Sequence, residues 1–190
     1  MSLVIFLTGI SGVGKSDFIK NFVTTREGFI HLKGSDLLAE GLEKTSPYKN
    51  EVILDHHEEV SFNQNLILEE FKNNIKKGEY KLIIFDGHII VEIEKELIPI
   101  PKEIIAGLEP IKIIFLTGSP EEIQKRRTKD KNRIRSNKTI GEIEKEQNFA
   151  LRICQNISKL LNIDMDVINS NDRIRIENSI LQVIPKGEVG

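Results

Sequence analysis

The octapeptide Gly9-Ile10-Ser11-Gly12-Val13-Gly14-Lys15-Ser16 satisfies G-x-x-x-x-G-K-[ST] at every fixed position, and it limits what this chain can fold into more than any other stretch. Leu3-Val4-Ile5-Phe6-Leu7 before it is an apolar, β-branched run. Asp17-Phe18-Ile19-Lys20-Asn21-Phe22-Val23 after it spaces its apolar residues as a helix does. Strand, glycine turn and helix are the context a phosphate-binding loop needs. Glycines let successive backbone N–H groups converge on one anion, and the first helical turn adds unpaired donors and the positive end of its dipole. The phosphates are assigned to Gly9, Gly12, Val13, Gly14, Lys15, Ser16 and Asp17. Lys15 reaches the β- and γ-phosphates, and the Ser16 hydroxyl is a ligand for Mg²⁺. A chance match in a glycine-rich turn would require neither the strand nor the helix.

After Lys81, a second fully apolar run, Leu82-Ile83-Ile84-Phe85, ends in Asp86-Gly87-His88. Continuous apolarity implies burial on both faces, as in a parallel sheet covered by helices. If this strand neighbours the first, Asp86 stands beside the phosphate loop and can hold Mg²⁺ through water. The plainer alternative is an aspartate that only starts a turn. Gly28–Leu32, Ile111–Leu116 and Met165–Ile168 are further predicted strands. Helices are expected from about Leu37, from Val60 to Lys77, after Ser119-Pro120, after the capping box Thr139-x-x-Glu142, and from Arg175 to Val183. Lys44 to Asn50, with Pro47, reads as a loop. The helix after Thr139 is expected to bury Ile143, Gln147, Ala150, Cys154, Ile157 and Leu161. Alternating strands and helices predict a three-layer α/β sandwich around a parallel sheet of about five strands. At 190 residues, one domain is expected.

Residues 126 to 138 hold eight charged side chains, seven of them basic. A charge run is usually a solvated face. Beside a phosphate loop it gains a second meaning, because transfer of a γ-phosphoryl group needs positive charge around its oxygens, and guanidinium suits that task. Arg127, Arg133 and Arg135 are the catalytic candidates alongside Lys15, with Arg126 facing away. The segment reads as a lid that excludes water.

Charge as a whole points nowhere: Lys plus Arg is 27, Asp plus Glu is 29, and the net is −2. That balance weighs against nucleic acid as a partner, while the basic segment keeps a local patch open. One cysteine allows no internal disulfide and suits a reducing cytosol, so a cytoplasmic location is expected. No signal peptide or membrane span is predicted, so no membrane partner is expected. Asp55-His56-His57-Glu58-Glu59 is read as a solvated helix start rather than a metal site.

Several of these pieces keep an order that resembles archaeal-type adenylate kinases and their relatives among small P-loop nucleoside monophosphate kinases. They are Thr8–Ser16, Ile84–His88, Ile98-Pro99-Ile100-Pro101, Arg126-Arg127 with Arg133-x-Arg135, and the stretch Asn148–Cys154. The resemblance implies an α/β/α P-loop nucleotide kinase fold and ATP-dependent phosphoryl transfer to a nucleoside monophosphate, with ATP and Mg²⁺ as cofactors. It implies a monophosphate-binding insertion over about 34–75 and a short lid over about 127–138 within a single domain, 1–190. Ser35, Gln64 and His88 become candidate acceptor contacts, and Ser16 and Asp86 the metal set. One departure is that no arginine occurs between Arg26 and Arg126, so lysines such as Lys33, or Arg126 and its neighbours, must meet an acceptor phosphate. The acceptor therefore stays open between a nucleotide and another small metabolite. An ATPase acting as a switch in an assembly, for example a ribosome-associated one, is a third reading. Gly87 weighs against a hydrolysing motor, which commonly carries glutamate after that aspartate.

Overall fold

The computed structural model describes residues 2–45, 56–129 and 138–185. In chain order the elements are β1 (Leu3–Thr8), α1 (Lys15–Thr24), β2 (Phe29–Lys33), α2 (Gly34–Thr45), α3 (His56–Ile75), β3 (Leu82–Asp86), β4 (Ile90–Ile93) and β5 (Glu96–Pro99). There follow α4 (Lys102–Gly107), β6 (Lys112–Thr117), α5 (Pro120–Lys129), α6 (Ile140–Leu161), β7 (Asp164–Asn169) and α7 (Arg173–Leu181).

Five strands form one parallel sheet in the order β2-β3-β1-β6-β7. The three central strands are the apolar runs, and β1 and β3 bury nearly every side chain. The edge strands β2 and β7 are less buried and mix polar with apolar residues, because helices cover them less completely than the centre of the sheet. The connection from β1 through α1 runs towards β2, whereas the one from β6 through α5 and α6 runs towards β7. Right-handed crossovers in opposite directions put their helices on opposite faces, which makes the three layers. In register, Leu7 of β1 pairs with Asp86 of β3, so the phosphate loop and that carboxylate emerge at the same level.

Local chemistry sets most boundaries. Ser119 caps α5 by accepting the Glu122 N–H at 3.2 Å. The capping box of Thr139 and Glu142 opens α6. The structure moves several expected limits. α2 starts at Gly34, directly after β2, rather than near Leu37, with Asp36 in its first turn where the helix dipole favours a carboxylate. α2 also extends to Thr45, into the stretch expected as loop, and 46–55 lie outside the described residues. α3 starts at His56 and ends at Ile75. The hairpin β4–β5 and the short α4 were not predicted, since strands of four residues fall below what periodicity can resolve.

On the buried face of α6, Gln147 is only half-buried, and its amide exchanges hydrogen bonds with the backbone of Gly118. Leu161 is likewise only half-buried. The fully buried polar residue on that helix is Glu146. Cys154 is wholly buried, and burial pushes its thiol up to about 12, so it serves as a small core side chain. Among the described residues no helix is long and apolar enough to cross a membrane.

Candidate active site

The loop after β1 carries its glycines where other residues do not fit. Gly12 and Gly14 both have positive φ, +83° and +106°. A Cβ on Gly12 would lie 2.9 Å from Arg127 Cγ, and one on Gly14 3.0 Å from Arg126 Nη1. Side chains of α5 thus pack directly beneath the loop. Val13 between them is fully buried and ties the turn to Ile10 by an N–H to carbonyl bond of 3.3 Å. Lys15 is 7% exposed, and its ammonium curls back to donate to the carbonyls of Gly9 at 2.7 Å and Ile10 at 3.3 Å. Asp17 sits in the first turn of α1, and its side chain is outside the described ones.

At the amino end of α1 the Ser16 hydroxyl donates to Asp86 Oδ2 at 2.8 Å. Asp86 is 5% exposed. Burial alone would raise its carboxyl, but the nearby His31 imidazole, the charge of Lys15 and the Ser16 hydroxyl together hold it below the usual carboxylate range. It therefore stays ionised. His31 is a residue the sequence reading passed over: its Nε2 lies 3.5 Å from Asp86 Oδ2 and makes no conventional hydrogen bond. The available signal was a histidine inside an otherwise apolar strand, two residues before Lys33.

A cleft of about 950 Å³ opens between the phosphate loop and the α2–α3 pair. Ser35, Gln64 and His88 all line it, together with Lys33, Asn63 and Arg126. Apolar residues including Leu38, Val60, Ile67 and Ile105 make up much of the remaining wall. The fold thus gathers the three expected acceptor contacts around the same space as Lys15, Ser16 and Asp86.

The two adjacent arginines reverse expectation. Arg126, expected to face away, lines the cleft and donates through Nη1 to the Val13 carbonyl at 2.5 Å and through Nη2 to Asn171 Oδ1 at 3.2 Å. Arg127 instead lies under the loop beside a smaller cavity of about 460 Å³, with its Nε donating to the Ser11 carbonyl at 2.8 Å. Helical spacing turns successive side chains through about 100°, so neighbours cannot share one direction. Arg133 and Arg135 lie outside the described residues. His56 and His57 open α3, where His56 Nε2 stands 3.5 Å from Glu94 Oε2 of the hairpin.

The parallel sheet with a glycine loop closing its first strand onto a helix defines a P-loop kinase fold, adenylate kinase-like in kind. The chain belongs to the AAA domain family, whose match covers residues 8–144. It is similar to the adenylate kinase of Methanopyrus kandleri, at 26% identity over 192 residues, covering 97% of each chain. The adenylate kinase of Pyrococcus abyssi is 27% identical over 156 residues, which span 78% of this chain and 76% of that one. Among solved structures, TT1252 from Thermus thermophilus superposes with a TM-score of 0.60 at 13% identity, covering 96% of this chain and 97% of the other. Shikimate kinase from Bacteroides thetaiotaomicron gives 0.51 at 17% identity, covering 95% and 96%. At such identities the two structures speak for the fold.

Proposed function

We propose that this P-loop kinase transfers the γ-phosphoryl group of ATP to a nucleoside monophosphate. The observation that carries the reading is the shared cleft, which is lined by Lys15, Ser16 and Asp86 together with Ser35, Gln64 and His88. The full-length similarity to proteins named adenylate kinase supports it. In this reading the chain is one domain. Residues 34–75 cover the acceptor, and 127–138 form a short lid whose Arg133 and Arg135 meet charge that develops during transfer. Gly9 to Asp17 hold the triphosphate, with Lys15 acting on the transferring group.

The Ser16 hydroxyl and the Asp86 carboxylate, bonded to each other at 2.8 Å, are hard oxygen donors suited to Mg²⁺. The buried Nε2 of His31 faces the same carboxylate without a conventional hydrogen bond, and so offers a polar partner for the ion's hydration shell. Mg²⁺ there supplies neutralisation of phosphate charge. Asp86, held ionised, keeps that attraction at neutral pH.

One observation favours a second reading, a kinase of another small metabolite. Lys33, with its ammonium 3.4 Å from Asp36 Oδ1, is the cation that α2 and the strand before it bring to the cleft, and no arginine occurs between Arg26 and Arg126. A lysine meets an anion as a point charge rather than a two-pronged grip. ADP formation from Mg-ATP, measured with AMP, CMP, UMP, GMP, dTMP or no acceptor and with Lys15→Ala as blank, separates the readings. Strong stimulation by one monophosphate is expected. Turnover that ignores all five yet vanishes in the blank rejects the nucleotide acceptor.

A further inference from the structure

Glu146 is 6% exposed, about two turns into α6. An unpaired carboxylate at such a position costs several kcal/mol or more of desolvation, so its partners explain why it is tolerated. It accepts from Arg127 in a two-pronged grip, Nη2 to Oε1 at 2.8 Å and Nη1 to Oε2 at 3.1 Å. Lys138 Nζ adds a third bond to Oε2 at 2.7 Å, while also standing 2.8 Å from Glu92 Oε2 of β4. Burial pulls the Glu146 carboxyl upward, yet Arg127 and Lys138 overcome it and hold it below its ordinary range. Two cations and two carboxylates thus meet behind the phosphate loop.

The third nitrogen of that guanidinium reaches the loop itself: Arg127 Nε donates to the Ser11 carbonyl at 2.8 Å. In a planar trans peptide the carbonyl and the following N–H point in opposite directions. Drawing the Ser11 carbonyl towards Arg127 therefore turns the Gly12 N–H away from it, to the side where an anion is cradled. Arg127 Cγ, packed where a Gly12 Cβ would be, blocks the loop from collapsing the other way.

We propose that Glu146 is a positioning residue for polyphosphate binding: by gripping Arg127 it fixes the Ser11–Gly12 peptide plane, and so presets a phosphate-loop donor. Arg127 acts from behind the loop and does not itself touch phosphate. The inference rests on the phosphate-loop reading and is independent of which acceptor is used. A preset donor binds without having to be ordered first, so losing the grip costs affinity for phosphate whatever base is attached.

The test is calorimetric binding of Mg-ATP and of inorganic tripolyphosphate to the full chain, alongside thermal unfolding. The variants are Glu146→Gln, the double variant Arg127→Met with Glu146→Leu, and Lys15→Ala. Glu146→Gln is expected to weaken both ligands about tenfold, the size of one charge-assisted hydrogen bond. The double variant replaces a buried pair by apolar groups of similar volume, which commonly preserves stability. It is expected to unfold near the wild-type temperature and still bind both ligands weakly. Wild-type affinity in the double variant makes the pair purely structural and overturns the proposal, as does a Glu146→Gln protein that loses stability but keeps affinity. Should Glu146→Gln not fold, the double variant decides alone. Undiminished binding by Lys15→Ala removes the phosphate-loop reading itself, and this inference with it.

Discussion

Ser16 Oγ and Asp86 Oδ2 are hydrogen-bonded at 2.8 Å although seventy residues separate them in the chain. The bond exists because β1 and β3 are parallel neighbours in the register that sets Leu7 opposite Asp86. Under the metal assignment, Ser16→Ala and Asp86→Asn each raise the Mg²⁺ concentration needed for half-maximal turnover by about tenfold or more, as lost ligands and their orienting partners do. ATP binding measured with EDTA present should change little. A Mg²⁺ titration identical to wild type in both variants would refute the assignment.

Lys15 donates to the carbonyls of its own loop, and its charge helps keep Asp86 ionised. Removing it in Lys15→Ala should lower phosphoryl transfer by about 10²-fold or more, the scale seen when one preorganised transition-state donor is lost. The far-UV circular dichroism should stay that of the wild type. Transfer at the wild-type rate contradicts Lys15's role.

Stability should fall in acid. Glu146 and Asp166 are both held below the usual carboxylate range, Glu146 against the pull of its burial by Arg127 and Lys138, Asp166 by the Ser179 hydroxyl and by Lys112. Carboxylates whose folded value is depressed contribute stability that is complete above their unfolded value and is lost as pH falls through the folded one. The melting temperature should therefore be level above about pH 5 and decline steadily below about pH 4. Asp166→Asn should flatten that decline. A melting temperature constant down to pH 3 would show that these pairs store no such stability.

Phe71 of α3 is 1% exposed and meets Phe85 edge-on, with ring centroids 5.6 Å apart. Phe85 precedes Asp86, so this contact joins the helix beside the cleft to the strand that carries the carboxylate. Phe71→Ala should cost about 3–5 kcal/mol in urea unfolding, the transfer and cavity terms together. A loss under about 1 kcal/mol would mean that α3 does not depend on this anchor.

What could be read from the chain followed the range of each signal. The glycine loop, the apolar runs and the two helix caps act within a few residues, and the strands and helices around them stand where those signals put them. The α/β layering followed from their alternation. The hairpin of β4 and β5 escaped because its strands are too short for a period to register. Glu146 escaped for another reason. It lies three residues after Ile143 and four before Ala150, on the core stripe of α6, where a carboxylate makes sense only once Arg127 and Lys138 are known to face it.

Local pattern is thus enough to specify a phosphate loop between a buried strand and a helix, inside a parallel α/β sheet. The motif requires backbone donors at fixed spacing, and continuous apolar runs require cover on both faces. Tertiary structure alone decided which distant groups meet that loop. Strand order brought Asp86 to Ser16 and His31 to Asp86, and the rotation of α5 sent Arg126 to the cleft and Arg127 behind the loop towards Glu146. Such pairings depend on register and helix facing. A shift of one residue flips a strand's faces and turns a helical side chain by about 100°, and no local pattern in the sequence records it.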